Sequence, residues 1–387
     1  MTRTVFCFLP LLLPATLTVA QDGYAALNGG TTGGKGGTTT TVSATAAFQT
    51  AIKSDTPKTV YLKGPITLSS QAQIGRTPTL WLVPHVPVYA LIRTLGNNTS
   101  IIGVGTSGII NGGGLEINRK SNVIIRNLVI NKVIGDDGIT IQHGAHNIWI
   151  DHNEFYSDLN HGFDYYDGQV DITHASDYVT VSYNYFHDHY KSSLVGGDPN
   201  GGKEGELRYY SSHLALTRES DHSTDTGKYH LTYHHNHWKN VHTRTPAMRF
   251  GHVHVYNNFL ENVISQGIHS RSYNQALIEG NVFSDSTEPG KCHLDRYAPT
   301  DELNILITAP SSVSTYGFVI PDDSPADPQG DYEPDGFANL GAANDFGGGK
   351  NNITATGNFS SVPYTYSLTS LANVKAEVVA NAGVGKI

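Results

Sequence analysis

The sequence predicts an all-β chain wound as a right-handed parallel β-helix, and three observations carry that prediction. Six short segments repeat one pattern of alternating apolar residues followed by asparagine. Most of the spacings between them fall near one period in the twenties, the length of one three-stranded coil. The composition agrees: 41 Gly and 21 Tyr among 387 residues, with only 15% charged, suit short strands and tight turns better than helices.

The segments are "SNVIIRNLVI", "NIWIDHNEF", "YVTVSYNYF", "HLTYHHNHW", "HVHVYNNFL" and "QALIEGNVF". Aligned by eye they superpose Asn127, Asn153, Asn184, Asn236, Asn258 and Asn281, with successive differences of 26, 31, 52, 22 and 23. The 52 is two short periods or one coil with a long insertion. Asparagine tolerates the left-handed backbone of a tight turn, and stacked asparagines can bond one another in a ladder. A β-sandwich would give short strands too, but not the same residue at the same place in every repeat.

The chain opens on "MTRTVFCFLPLLLPATLTVA", with Arg3, an apolar run from Val5 to Leu13, and small Thr18 and Ala20 before Gln21. This reads as a secretory signal over 1–20, leaving one β-helix domain over 21–387. Its cleavage removes Cys7 and leaves Cys292 alone, so a secreted, extracellular protein is expected without a disulfide. No later stretch is long and apolar enough to span a bilayer. Asn97, Asn98, Asn352 and Asn358 each begin an N-x-Ser/Thr sequon.

Three stretches break the repeat. Residues 197–222 fall inside the long gap, and 300–335 are rich in Pro and Asp. Residues 76–95, "RTPTLWLVPHVPVYALIRTL", are too apolar for an exposed loop and carry three prolines in what would be a strand. That pattern points to translated intron or an excursion with no part in catalysis. The polar tail from Asp345 is expected to lie against the outside of the helix as a cover.

Net charge is −9, which gives no reason to expect a nucleic-acid partner. Local clusters are more informative. "DGQVD" places Asp167 and Asp171 four apart, on one face if the stretch is extended. Carboxylates crowded on one face repel unless a cation sits between them, and oxygen ligands suit Ca²⁺. Asp136 and Asp137 lie about one coil earlier, where stacking brings them beside Asp167. Asp-Gly pairs also simply mark turns, so composition alone leaves both readings open. His252 and His254 share a face but lack a third ligand for zinc. In "HTRTPAMRFG", proline restricts the backbone between Arg244 and Arg249. Asp151 and His152 of "WIDH" read as a structural pair, and the histidines of "YHHNHW" as strand and turn residues.

Together "NIWIDHNEF", "DGQVDITHASDYVTVSYNYFHDHYKSSLVG" and "RTPAMRFGHVHVYNN" resemble the pectate lyases of the pectate/pectin lyase superfamily, in the manner of a secreted fungal-type member. The resemblance runs from about Asn97 to Phe283 and returns at "NDFGGGKN" and "SVPYTYSL". It implies a groove beside one sheet, with Ca²⁺ held by Asp137, Asp167 and Asp171. It implies Arg244 as catalytic base, and Lys191 and Arg249 as binders of substrate carboxylates. Some relatives carry a further arginine where this chain has Ala247, which removes one substrate contact. The implied reaction is β-elimination on polygalacturonate, the expected partner, by a monomer. Arginine carries its charge at ordinary pH. Crowding by Lys191, Arg249 and Ca²⁺ would disfavour that charged form, so an alkaline optimum is expected.

Three rivals share the fold. A polygalacturonase would use paired carboxyls such as those of "GDD" at 135–137, but the other motifs of that family are missing. A pectin lyase acting on methyl esters without calcium should lack the acid set. A non-catalytic carbohydrate-binding β-helix explains the repeat but not Arg244 with Lys191 and the acids.

Overall fold

A computed structural model describes residues 22–69, 94–197, 222–263, 267–284, 319–321, 336–345 and 356–387. The predicted signal 1–20, both cysteines, Asn352, and most of the three predicted interruptions lie outside the described residues.

Each coil contributes three strands. One coil runs through Ile139–Gln142, His146–Asp151 and Glu154–Tyr156, and the chain re-enters directly above its start at Val170–Ile172. All pairings between named strands are parallel, as a solenoid requires. Among the described residues seven strands, including Leu115–Asn118, Leu194–Val195, Ala247–Met248 and Ile268–Ser270, form one sheet. The other strands form a 16-stranded sheet covering two sides of the coil, because Thr99–Asn111 runs unbroken through the corner between them. The interior is a set of aligned columns. Ile125, Ile150, Val181, Tyr233, Val255 and Ile278 stack in register, all buried. Phe155, Phe186 and Trp238 stack face to face at centroid distances of 5.0 and 4.1 Å.

The asparagine ladder forms, with two corrections to the aligned pattern. Nδ2 of Asn153 donates to Oδ1 of Asn184, Asn184 to Asn236, Asn236 to Asn258, and Asn258 to Asn281, at 2.9–3.1 Å. The ladder continues to Asn344, 63 residues further on, which the repeat pattern did not include. Asn127 is not a rung: it aligns with His152, and Leu128 stands at the rung position, donating its N–H to Asn153 Oδ1 at 3.0 Å. Nor do the rungs adopt the left-handed backbone. The residue before each rung does, with φ between 49° and 62° at His152, Tyr183, His235, Asn257 and Gly280. The rung is selected for its amide, and the preceding residue bears the turn.

A short helix, Thr45–Ala51, closes the N-terminal end by burying Phe48 beside Ile52 against the first coil. The tail lies along the outside as expected. Its helix, Leu371–Asn381, which the polar pattern did not suggest, buries Val374 and Val378 against Phe259 and Val282. Thr94 and Leu95, placed by sequence in an interruption, belong to a coil: Leu95 is fully buried and donates its N–H to the Glu116 carbonyl at 2.9 Å. Residues Val319–Pro321, inside the stretch read as irregular, pair as a strand with Ile268–Ser270. Asp151 and His152 form a structural group away from the seven-stranded sheet. Asp151 pairs with Arg126 at 2.6 Å and His152 at 2.8 Å, and accepts the Ser182 hydroxyl at 2.7 Å.

Candidate active site

The seven-stranded sheet presents an outward row of side chains across successive coils. Register places Glu116, Thr140, Asp171, Leu194, Ala247 and His269 side by side, while their strand neighbours Ile141, Ile172, Val195 and Met248 point into the core. Strand alternation thus makes Asp171 an outward residue of the sheet, yet it is only 6% exposed.

The acids converge on that row from consecutive turns. Asp137 precedes its strand. Its carboxylate accepts the Thr140 hydroxyl at 2.8 Å and the N–H of Gly168, one coil on, at 3.0 Å. Asp136 caps the same turn by accepting the Asp137 N–H at 3.0 Å. Asp171 accepts the Leu194 N–H at 3.0 Å. Asp167 does not share a strand face with Asp171: the strand starts at Val170, and Gly168–Gln169 bend the chain before it. The two acids meet through that bend. A Cβ at Gly168 would collide with the Asp171 carboxylate. Burial, followed by repulsion from Asp171, Asp167 and Asp136, holds the Asp137 carboxyl well above the usual carboxylate range. Burial lifts Asp171 to about 7 despite the nearby Arg244, with Asp167 adding repulsion.

The cations stand on either side of the strands of that sheet. Lys191 ends the strand Tyr185–Lys191, is 6% exposed, and reaches Asp164 Oδ1 at 2.6 Å and Asp167 Oδ1 at 3.2 Å. Arg244 stands at the next coil with φ 64°, ahead of a cis Thr245–Pro246 bond, and its carbonyl accepts the Ser193 N–H at 2.8 Å. It is close enough to act electrostatically on Asp171. Arg249 follows its strand, donates its N–H to Val195 at 2.9 Å, and is largely buried. By alternation it projects on the same side as Ala247, whose methyl lies in the row.

Two contributors were missed by sequence reasoning. His189 lies two residues before Lys191, on the same strand face. Its Nε2 donates to the Asp167 carbonyl at 2.6 Å, and its Nδ1 lies 2.6 Å from Ser157 Oγ. Burial pushes His189 down to about 4, so it serves as a neutral strut. Asp164 is the second, with no motif around it to mark it. His254 is engaged by Glu279 at 2.9 Å and Tyr364 at 2.8 Å.

The donor set fits a hard cation in kind: three mutually repelling carboxylates, oxygen only. Among the described residues no three His, Cys, Asp or Glu side chains close into a ready-made cage.

Comparison with known proteins agrees with this geometry. The family model described as "Pectate lyase" matches residues 4–213 and 210–387. The chain is 40% identical over 366 residues to "Probable pectate lyase A" of Neosartorya fischeri, covering 94% of this chain and 88% of that protein. It is 35% identical over 370 residues to a "Pectate trisaccharide-lyase" of Bacillus licheniformis, covering 94% and 86%. A solved pectate lyase from Bacillus sp. N165, in complex with trigalacturonate, matches with a TM-score of 0.67 at 29% identity, covering 95% of this chain and 99% of that one.

Proposed function

The chain belongs to the pectate lyase family, and we propose that it is a secreted, calcium-dependent enzyme cleaving (1→4)-α-D-galacturonan by β-elimination. The observation that carries this reading is that Asp137, Asp167 and Asp171 crowd one another while Lys191 and Arg244 act on the same acids beside one sheet. A polyanionic chain cannot be drawn to a protein of net charge −9 by bulk attraction, so local cations must hold it. The complex of the Bacillus sp. N165 pectate lyase with trigalacturonate supports the same substrate class.

Asp137, Asp167 and Asp171 are the residues that would hold Ca²⁺. When bound there against a uronate carboxylate, the ion would neutralise it and acidify the proton at C5. Lys191 and Arg249 bind carboxylates of the sugar chain and fix its register. Arg244 removes the C5 proton. The electron pair left at C5 forms the C4–C5 double bond as the C4–oxygen bond breaks, and the glycosidic oxygen leaves with that bond's electrons and takes up a proton from solvent, to which Arg244 returns the one it removed. No water is consumed. His189, bound to the Asp167 carbonyl, holds the turn that carries the acid.

Elimination and hydrolysis differ in their products, so mass spectrometry of digested polygalacturonate tests the proposal. Unsaturated oligogalacturonides, one water lighter than hydrolysis products, are expected. Saturated products would assign the site to a hydrolase and make the carboxyls at 135–137 the catalytic pair.

A further inference from the structure

We propose that Asp164 is the resident counter-ion of Lys191, the anion that a substrate carboxylate must displace, and that it thereby sets the affinity for galacturonate chains. The inference rests on Lys191 being a carboxylate-binding group.

Lys191 is poorly placed to stand alone. Its side chain is 7% exposed, and its ammonium lies 5.1 Å from the centre of the Phe163 ring. A cation this buried needs an anion. Two carboxylates reach it, Asp164 at 2.6 Å and Asp167 at 3.2 Å. Their positions differ. Asp167 belongs to the repelling acid set with Asp137 and Asp171. Asp164 is not among the largest influences on either of those two, and its side chain is 68% exposed.

The loop that presents Asp164 is tied down on both sides. The Gly135 N–H donates to the Tyr165 carbonyl at 2.8 Å, and the Tyr166 hydroxyl donates to Asp158 at 2.9 Å. Asp158 in turn holds His161 at 2.7 Å and Lys132 at 3.4 Å. Phe163 packs edge-on against Tyr190 at 5.8 Å. The carboxylate is therefore held at Lys191 by the fold, while remaining hydrated enough to give way cheaply. A uronate carboxylate can take over the ammonium without leaving it bare. A methyl ester offers no charge, so Asp164 keeps its place when an esterified residue lies there.

The test compares wild-type protein with Asp164→Asn, which keeps the shape and removes the charge. Asp55→Asn is the control. Asp55 pairs with Lys120 near the first coils at 2.9 Å, so the control changes net charge equally, away from the groove. Binding of trigalacturonate at fixed calcium is measured by calorimetry, and KM and kcat on polygalacturonate and on highly methyl-esterified pectin by steady-state rates. Asp164→Asn is expected to bind trigalacturonate roughly threefold or more tighter, in line with one exposed ion pair released. KM on polygalacturonate should fall in parallel with kcat little changed, and KM on esterified pectin should not move. Weaker binding, or a loss of kcat on both substrates, would make Asp164 only a support for Lys191. Equal tightening by Asp55→Asn would reduce the effect to net charge. Either result, or no change, overturns the inference. If wild-type protein binds no trigalacturonate, Lys191 itself is misassigned and the inference falls with it. If it binds trigalacturonate but yields no unsaturated product, only the lyase reading fails.

Discussion

Two polar regions of the same coils behave in opposite ways. At the ladder corner, each rung from Asn153 to Asn281 both donates to and accepts from a neighbouring coil, and each also donates to a backbone carbonyl, as Asn184 does to Ile150 at 2.9 Å. At the seven-stranded sheet, Asp137 and Asp171 are crowded by like charge and are held above the ordinary carboxylate range. One region spends its polar groups on satisfying each other. The other keeps them in conflict, as a site awaiting a ligand does. Stability should therefore be lost from the first region by mutation, and function from the second.

The largest effect expected is at Arg244. Arg244→Lys should cut kcat by roughly 10²-fold or more, the scale of a lost general base, with calcium and substrate binding largely retained. Retention of more than about a tenth of the turnover would remove Arg244 from that role.

The ladder should answer in stability instead. Asn236→Ala takes the acceptor from the Asn184 N–H, one of the two acceptors from the Asn184 amide, and the side-chain donor from the Val181 carbonyl. A loss of about 3 kcal/mol is expected in denaturant unfolding, with kcat unchanged in the protein that remains folded. A neutral substitution would show the ladder to be ornamental and collapse the contrast.

Asp171→Asn should do what ladder mutants cannot: stabilise the metal-free protein while weakening its use of calcium. Removing one charge from a repelling buried set raises the metal-free Tm, and losing a hard oxygen ligand raises the calcium needed for half-maximal rate. An unchanged calcium dependence would return "DGQVD" to the role of a turn.

The smallest effect concerns pH and the covering tail. His235 contacts His234 at 2.9 Å, Thr369 of the tail at 3.1 Å and Glu377 at 3.6 Å. Burial and the neighbouring His234 push it down to about 3, against the nearby Asp22. The unfolded chain, with an ordinary histidine near 6.5, binds more protons than the folded one below that pH. Stability contributed by neutral His235 is complete above that point and drains as pH falls towards 3. About 1 kcal/mol should be lost between pH 6 and pH 5, and His235→Gln should flatten that slope.

How much of this was legible in the sequence follows from which interactions are local. The period and the apolar alternation showed the solenoid, because each coil repeats the same packing problem. The exact rung did not show, since Asn127 and Asn153 look alike in sequence and only the pairing of Arg126 with Asp151 fixes their offset. Asn344 was hidden by a spacing of 63 residues after Asn281. The acids and cations of the site were legible as a resemblance, but their convergence depends on the bend at Gly168–Gln169, not on the strand alternation inferred for them. His189 could have been found as the residue two before Lys191 on one strand face. Asp164 could not, because its partner is set by a loop fold. The tail helix was missed because only Val374 and Val378 of it are buried.

The central claim is that the conflicted acid set and Arg244 together perform a calcium-dependent elimination. It is tested most directly by following the ultraviolet absorbance of the unsaturated product from polygalacturonate while calcium is chelated and then restored. The account predicts absorbance that rises with calcium, stops on chelation, resumes on restoration, and is absent with Arg244→Lys at every calcium concentration. Undiminished product formation under chelation, or in the Arg244→Lys protein, would contradict it.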